Sequence, residues 1–585
     1  MKKQVSVRSD FLKMKVPKST IHIVLVALLV TAEFAGAATL FVPGQYKTIQ
    51  AAVDRAIDGD TVIVADGIYS GDGNRDIDFG GKTIAVRSEN GPKNCIIDCQ
   101  GLEAEPHRGF YLRSGEGPGT TIEGLTIING YGGKHGGGLC FQECSPTVIN
   151  CRILKNTASI GAGVACYAAS PTITKCVIST NTASFRGGGI YCMYGDSATI
   201  TGCTISNNSA KDDGGGIKCS NIAMTITDSN ITGNSASRGG GLFGANSSSN
   251  ARTSVKLENC VIASNSASQG GGLYCSDCNA TKITYCAIIG NSGAQGAGLF
   301  CMEGFVEIHH CDIIGNLAYN HGGGIRCHSR LTITGCTISG NSSKNGSGGG
   351  MWCYGSQPVA LGNCIISGNS AKYSGGGIEC IQRSSVKITN CTVSHNQASR
   401  GAGIYCTQSS SATITNCIVW ANEKTEVELD SHSSKTALIT YSDIKGGWKG
   451  EGNIDSDPLF VMDSPDAITG TWTEKPGYDP NTKCTRLTDA NAKFVRGELV
   501  RLLIQLSGTA VKEAFITGNT ATTVEVFGDL RTEVSKGDGY RLVEYNVLSG
   551  SCCINAGTTV GAPETDIDGV SRDAKPDMGA FESGG

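Results

Sequence analysis

Histidine is scarce in this chain, 9 residues in 585, yet His309, His310, His321 and His328 fall close together, with Glu307 and Arg326 beside them. Imidazoles and a carboxylate grouped in this way could hold a metal or pass a proton. Polar loop decoration is the favoured account of them. The carboxylates offer less. A lyase acting beside a uronate needs clustered acids for calcium and a basic residue to take the proton, and a hydrolase needs two acids flanking the bond. Asp212-Asp213 is an isolated pair, read as a solvated turn. Asp72-x-Asn74-x-Asp76 has the first three positions of a calcium loop without the Gly and the distal Glu that complete one. Asp566-x-Asp568-Gly569 is equally short of a site. No catalytic residue and no cofactor are assigned; calcium is the only candidate, and no complete site supports it.

A different chemistry comes from a recurring segment, Gly-Gly-Gly or Gly-Ala-Gly followed by aliphatic-x-Cys. In extended chain the aliphatic and the Cys share parity and face inward, so x faces out. Down the chain x is Cys140, Ala165, Tyr191, Lys218, Phe243, Tyr274, Phe300, Arg326, Trp352, Glu379 and Tyr405. Six of these eleven are aromatic, where a 6% aromatic composition would give about one. Such a column is either a sheet-stabilising stack or an exposed stripe suited to sugar rings or a partner strand. Lys218 and Arg326 would meet carboxylates of an acidic glycan. The ligand-binding candidates are thus Tyr191, Phe243, Tyr274, Phe300, Arg326, Trp352 and Tyr405.

The elements that must carry this column are repeats. The first Gly of the triplet stands at 136, 161, 187, 214, 239, 270, 296, 322, 348, 375 and 401, a mean spacing of 26.5 residues. Each unit holds short β-rich runs split by Asn and Gly, with no helical periodicity. Ile200 and Cys203 have opposite parity, so a corner must lie between them. The residue before that Cys is Asn or Gly in most units (Asn150, Gly202, Asn259, Gly335, Asn363, Asn390, Asn416), types that tolerate left-handed backbone. A second Asn column runs from Asn156 to Asn422, and stacked Asn side chains can bond up and down it. This predicts an all-β fold, a right-handed parallel β-helix solenoid. Thr48 to Ile57 is predicted as a short capping helix with Thr48 as N-cap.

The expected organisation is a signal segment at 1–37, a cap and first coils at 38–135, and Gly/Asn/Cys-rich coils at 136–463. A small β module at 464–547 and a polar tail at 548–585 follow. The signal reading rests on Lys2, Lys3, Arg8, Lys13, Lys15 and Lys18, an apolar run from Ile21 to Ala32, and Ala35-Gly36-Ala37. Its removal would leave 42 basic and 50 acidic residues, a net charge of −8, and no transmembrane segment. Charged residues at 17% and 81 glycines exclude a disordered polyelectrolyte and a nucleic-acid binder. The 27 Cys form two columns, and joining each to the next gives nine pairs from Cys151–Cys166 to Cys391–Cys406. Covalent bridges, favoured by export, and paired volume in a shared core are both open readings.

The opening Tyr46-Lys-Thr-Ile-Gln-Ala-Ala-Val, Gly59-Asp-Thr-Val-Ile-Val and Gly67-Ile-Tyr resembles the capping region of pectin-lyase-like β-helix proteins. Asn74-Arg-Asp-Ile-Asp-Phe-Gly-Gly-Lys and Gly124-Leu-Thr-Ile-Ile-Asn-Gly resemble exported bacterial β-helix repeat proteins. The Gly-Gly-Gly-Ile and Asn-x-Ala elements are similar to repeats of polymorphic outer-membrane proteins. Gly452-Asn-Ile-Asp-Ser-Asp-Pro-Leu-Phe and Asp566-Ile-Asp-Gly-Val-Ser-Arg with Asp577-Met-Gly-Ala-Phe-Glu resemble a choice-of-anchor region. The resemblance implies an extracellular or cell-surface protein and leaves activity open, since the fold hosts enzymes, adhesins and structural proteins. The leading expectation is a non-catalytic protein that adheres or binds polysaccharide or cell wall. The alternative is a polysaccharide lyase or glycoside hydrolase acting on an acidic glycan.

Overall fold

The computed structural model describes residues 37–246, 253–430, 437–465, 467–480, 482, 484–500, 502–507 and 511–583. The expected signal segment therefore lies, but for Ala37, outside the described residues.

One coil shows how the sequence folds. Ser197–Thr201 (sheet A) alternates inward Ala198 and Ile200 with outward Thr. Gly202, at φ +62°, turns the corner, and Thr204–Ser206 (sheet B) points Ile205 inward. Asn207 at φ +54° and the buried Asn208 make the next corner, leading to the short strand Ser209–Ala210 (sheet C). The glycine triplet then reverses the chain into Ile217–Ser220 (sheet D). Among the described residues sheet A has 16 strands, B 15, C nine and D 13, and each strand pairs with its equivalent one coil away. All these pairings are parallel, as between Ile173, Ile200 and Ile226 in sheet A. The predicted solenoid is the observed one.

The core is a set of aliphatic columns, with Ile178, Ile205 and Ile231 on sheet B and Ile190, Ile217 and Leu242 on sheet D all buried. Each contributes about 1.5–3 kcal/mol by leaving water. The triplet glycines are needed by the closeness of the coils. A Cβ on Gly189 would stand 2.6 Å from the Gly216 carbonyl oxygen and 3.0 Å from Asn208 Nδ2.

Both Asn columns behave as their positions predict. At the A/B corner Asn150, Asn259, Asn363, Asn390 and Asn416 are all left-handed, with φ between 49° and 54°. In the buried column Asn208 Nδ2 donates to Asn234 Oδ1 at 3.0 Å, Asn208 N to the same oxygen at 2.9 Å, and the pattern repeats coil after coil. The column ends at Asn422, whose amide groups donate to the buried Glu426 carboxylate.

All 27 cysteines are free thiols, which corrects the cross-core bridges. The two columns lie on different parts of the coil, and each finds its neighbours along the rod. First-column sulfurs accept the corner amides of the preceding coil, as from Cys151 N to Cys176 Sγ at 3.4 Å and Cys176 N to Cys203 Sγ at 3.3 Å. Where Ser229 and Ser442 replace Cys, their hydroxyls accept the same amide at 3.0 Å. Second-column Cys pair in register on sheet D, Cys301 with Cys327 and Cys327 with Cys353.

The helix spans Ile49–Arg55, with Thr48 Oγ1 accepting from Ala51 N at 3.3 Å. It buries Ile49, Ala52 and Val53 over the first coils. At the other end a seven-stranded antiparallel sheet, from Thr469–Thr471 to Gly539–Val543, encloses its own core around Trp472, Ile504 and Ile516. This module docks on the outer face of sheet B through Leu503 and Phe515 against Ala263, Ile289 and Ile314. Among the described residues no helix is long and apolar enough to cross a membrane.

Candidate functional site

The outward column of sheet D is in register as predicted: Tyr191, Lys218, Phe243, Tyr274, Phe300, Arg326, Trp352, Glu379 and Tyr405 follow one another strand by strand. It is not an exposed stripe. Tyr191, Phe243, Tyr274, Phe300, Trp352 and Tyr405 are each at most 6% exposed. The central three are stacked on one another, Phe243 on Tyr274 at 4.9 Å and Tyr274 on Phe300 at 5.0 Å. The cations are part of the same stack. Lys218 Nζ lies 4.6 Å from the Phe243 ring, and the Arg326 guanidinium sits between Phe300 at 5.0 Å and Trp352 at 4.6 Å. Burial pulls the Lys218 ammonium down to about 8 and Arg326 down to about 10. Neither is a free hand for an acidic glycan. Each ring pair contributes about 0.5–1.5 kcal/mol beyond its area, so the column is a brace for the rod.

Side chains from neighbouring strands close over it. On one flank Asp213, 2% exposed, bridges Arg186 at 3.1 Å and Arg238 at 2.8 Å, and Arg238 reaches over Phe243. The solvated turn expected at Asp212-Asp213 is thus, at Asp213, a buried carboxylate held between two partly exposed arginines. The histidine group divides. His321 stacks on Trp352 at 5.0 Å, and His328 lies against Trp352 and Tyr354, held down to about 4 by desolvation and then by Arg326. His309 and His310 are on another corner of the coil. The short calcium-like loop is engaged internally: Asp72 with Arg75, Asn74 with the Ile49 amide, Asp76 with His107. Among the described residues no three His, Cys, Asp or Glu side chains are grouped as metal ligands.

What sequence reasoning missed is a cleft of about 690 Å³ where rod, module and tail meet. Its first wall is the A/B corner row, which reads Tyr285, His310, Gly335, Asn363, Asn390, Asn416 along the rod, all left-handed. The tail covers the Asn part of the row: Asn416 Nδ2 donates to Thr558 O at 2.6 Å, Thr558 N donates to Asn416 Oδ1 at 2.8 Å, and Asn390 Nδ2 donates to Asp577 O at 3.2 Å. Arg572, paired with Glu582 at 2.8 Å, donates to Asn363 Oδ1 at 3.2 Å. Beyond Asn363 the row is open. There Tyr285 stacks on His310 at 5.2 Å and 11°, and Tyr285 is 53% exposed. Gly335 admits the imidazole, since a Cβ there would meet His310 Nδ1 at 2.8 Å.

The other walls come from Glu498, Leu502, Glu544 and Asn546 of the module and Ile567, Asp568 and Phe581 of the tail, with Asp312 on the rod. Desolvation, and then Asp566, raises the Asp568 carboxyl. Asn546 Oδ1 is buried without a donor. The arrangement offers an aromatic face, apolar floor and hydrogen-bond acceptors, which suits a polyhydroxylated ligand. A second cleft of about 600 Å³ on the opposite side of the module has a floor of Gly290, Gly315, Gly340 and Gly368. The signal for the main cleft in the sequence is Tyr285 and His310, standing where most coils carry Asn or Gly.

No curated protein sequence matches the chain. Among solved structures it is similar to a pectate lyase, Pel9A, at 13% identity over 94% of this chain and 97% of that one, with a TM-score of 0.27. It is similar to XylC, solved with xylose, at 9% identity over 94% and 98%, TM-score 0.29. A tailspike protein, gp49 of Pseudomonas phage LKA1, matches at 12% identity over 85% and 93%, TM-score 0.29. The sequence pattern described as "Right handed beta helix region" matches residues 57–221, 108–268 and 271–440. With four in-register parallel sheets built on those residues, the chain belongs to the right-handed β-helix family.

Proposed function

We propose that this is a non-catalytic, exported β-helix protein that holds a polysaccharide or cell-wall glycan in the cleft between rod, module and tail. The observation that carries the reading is the half-exposed Tyr285 stacked on His310 at the mouth of a cleft lined with hydrogen-bond acceptors. Sugar rings lie flat on such a face, and their hydroxyls donate to carboxylates. Export is supported by the basic leader, apolar run and Ala35-Gly36-Ala37 of the first 37 residues. Similarity to polymorphic outer-membrane repeats and to a choice-of-anchor region supports a place at the cell surface. The buried column from Tyr191 to Tyr405 serves this function as stiffening, and its residues reach a glycan only at the column's outer edge.

The test is a panel of neutral and charged glycans given to the mature chain, residues 38–585, with binding and chain length both followed. Binding without cleavage that is lost in Tyr285→Ala is the expected result. Reproducible cleavage would overturn the non-catalytic reading in favour of a lyase or hydrolase.

A further inference from the structure

The polar groups of the cleft are unbalanced. Glu498, Glu544 and Asp568 line it and are all exposed. Donors are few. Among the described residues no lysine or arginine lines the cleft. Arg541 and Arg572, on the module and tail that wall the cleft, are engaged with other groups, Arg541 with Asp463 at 2.6 Å and Gln505 at 2.6 Å, and Arg572 with Glu582. The Tyr545 hydroxyl is given to Glu513 at 3.0 Å. A ligand that satisfies this wall must bring its own donors and tolerate, or complement, negative charge. A polyuronate does neither, because its carboxylates would be forced against three others. An ammonium brings three donors and the opposite charge, and charge-assisted bonds of that kind are the stronger ones. Spacing agrees with a saccharide: the open corner row from Tyr285 to Gly335 covers three coils, roughly 10 Å, about two pyranose rings.

We infer that the cleft takes a glycan carrying free amino groups, a hexosamine polymer, in preference to an acidic one; this rests on the glycan-holding function proposed above and narrows it. The stacked Tyr285–His310 pair holds the ring face, and Glu544 and Asp568 select the amine.

Calorimetry on the mature chain at low salt and mildly acidic pH compares three probes: oligomers of glucosamine, of N-acetylglucosamine and of galacturonic acid. The glucosamine oligomer should bind about tenfold tighter than its acetylated counterpart, with the galacturonate weakest. Glu544→Gln with Asp568→Asn, both exposed and outside the core, should bring the first two within about twofold, as should added salt. Galacturonate binding as tightly as glucosamine, or an amine advantage that survives the double variant, would overturn the inference. If N-acetylglucosamine binds in a Tyr285-dependent manner and the free amine gains nothing, the inference fails while the glycan-holding function stands. If no probe binds, both fail.

Discussion

Replacing Glu379 by Gln should stabilise the rod at alkaline pH and leave it nearly unchanged in acid. Glu379 sits in the sheet D column between Trp352 and Tyr405, 4% exposed. Ser374 Oγ donates to its Oε1 at 2.9 Å, while Oε2 has no partner. Desolvation outweighs its hydrogen bonds and raises its carboxyl from 4.5 to about 7. A raised acid favours the fold in its neutral form. That contribution is fully present below the unfolded value, and it is lost as pH climbs through the folded one. Above about pH 8 the shift costs the folded state about 3 kcal/mol, and Gln, which keeps the acceptor and adds a donor, removes the cost. A solenoid opens locally, so the readout is amide-exchange protection of Met351–Tyr354, Ile378–Ile381 and Ile404–Cys406 at about pH 5 and about pH 8. The packing cost of the substitution is the same at both pH values and drops out of the difference. A parent and variant with parallel pH dependence would refute the reasoning.

Three further outcomes are expected. Asn265→Ala removes the oxygen that accepts from Asn234 N and Nδ2, and leaves buried donors unpaired; the loss should reach about 3–5 kcal/mol in urea unfolding. Gly244→Cys should destabilise, because its new Cβ would stand 3.0 Å from Val255 Cγ2 and its sulfur would need space beside Cys219 and Cys278, whose thiols already lie 3.5 Å from that Cβ. Combining it with Cys278→Ala should recover much of the loss, a coupling that a double-mutant cycle measures. Alkylation of the denatured, unreduced protein followed by peptide mapping should label all the column cysteines; pairs protected between Cys151 and Cys166 or their equivalents would contradict the free thiols described here.

The repeat was legible because it is written in residues with few alternatives. Left-handed corners call for Asn or Gly, and the crowded turn at Gly189 admits no side chain. Parity likewise placed Tyr274 and Trp352 on the outer face of their strands. Whether that face meets water was not legible, since the groups that close over it, Arg238, Asp213 and His321, come from other strands at separations of a coil or more. The cysteine columns were legible and their partners were not, because a sulfur accepting a corner amide leaves no trace in spacing. Of the cleft the sequence shows only Tyr285 and His310, at corner positions. The cleft joins Tyr285 to Glu498 and Asp568, each more than 200 residues further along the chain, and depends on how a sheet with its own core docks on the rod.

The tail running over the corner row makes the two halves of the rod mechanically unlike. Early coils touch only their neighbours, so tension applied at the N-terminal end would unzip them one at a time. From Ser339 to Asn416 the coils are lashed together from outside, by Glu513 bonding Ser339 and Ser367 and by the tail bonding Asn363, Asn390 and Asn416. None of these coils can leave without its neighbours. A protein pulled by its far end would lengthen in small steps and then stall at a block several coils thick, with the cleft on the edge of the part that holds.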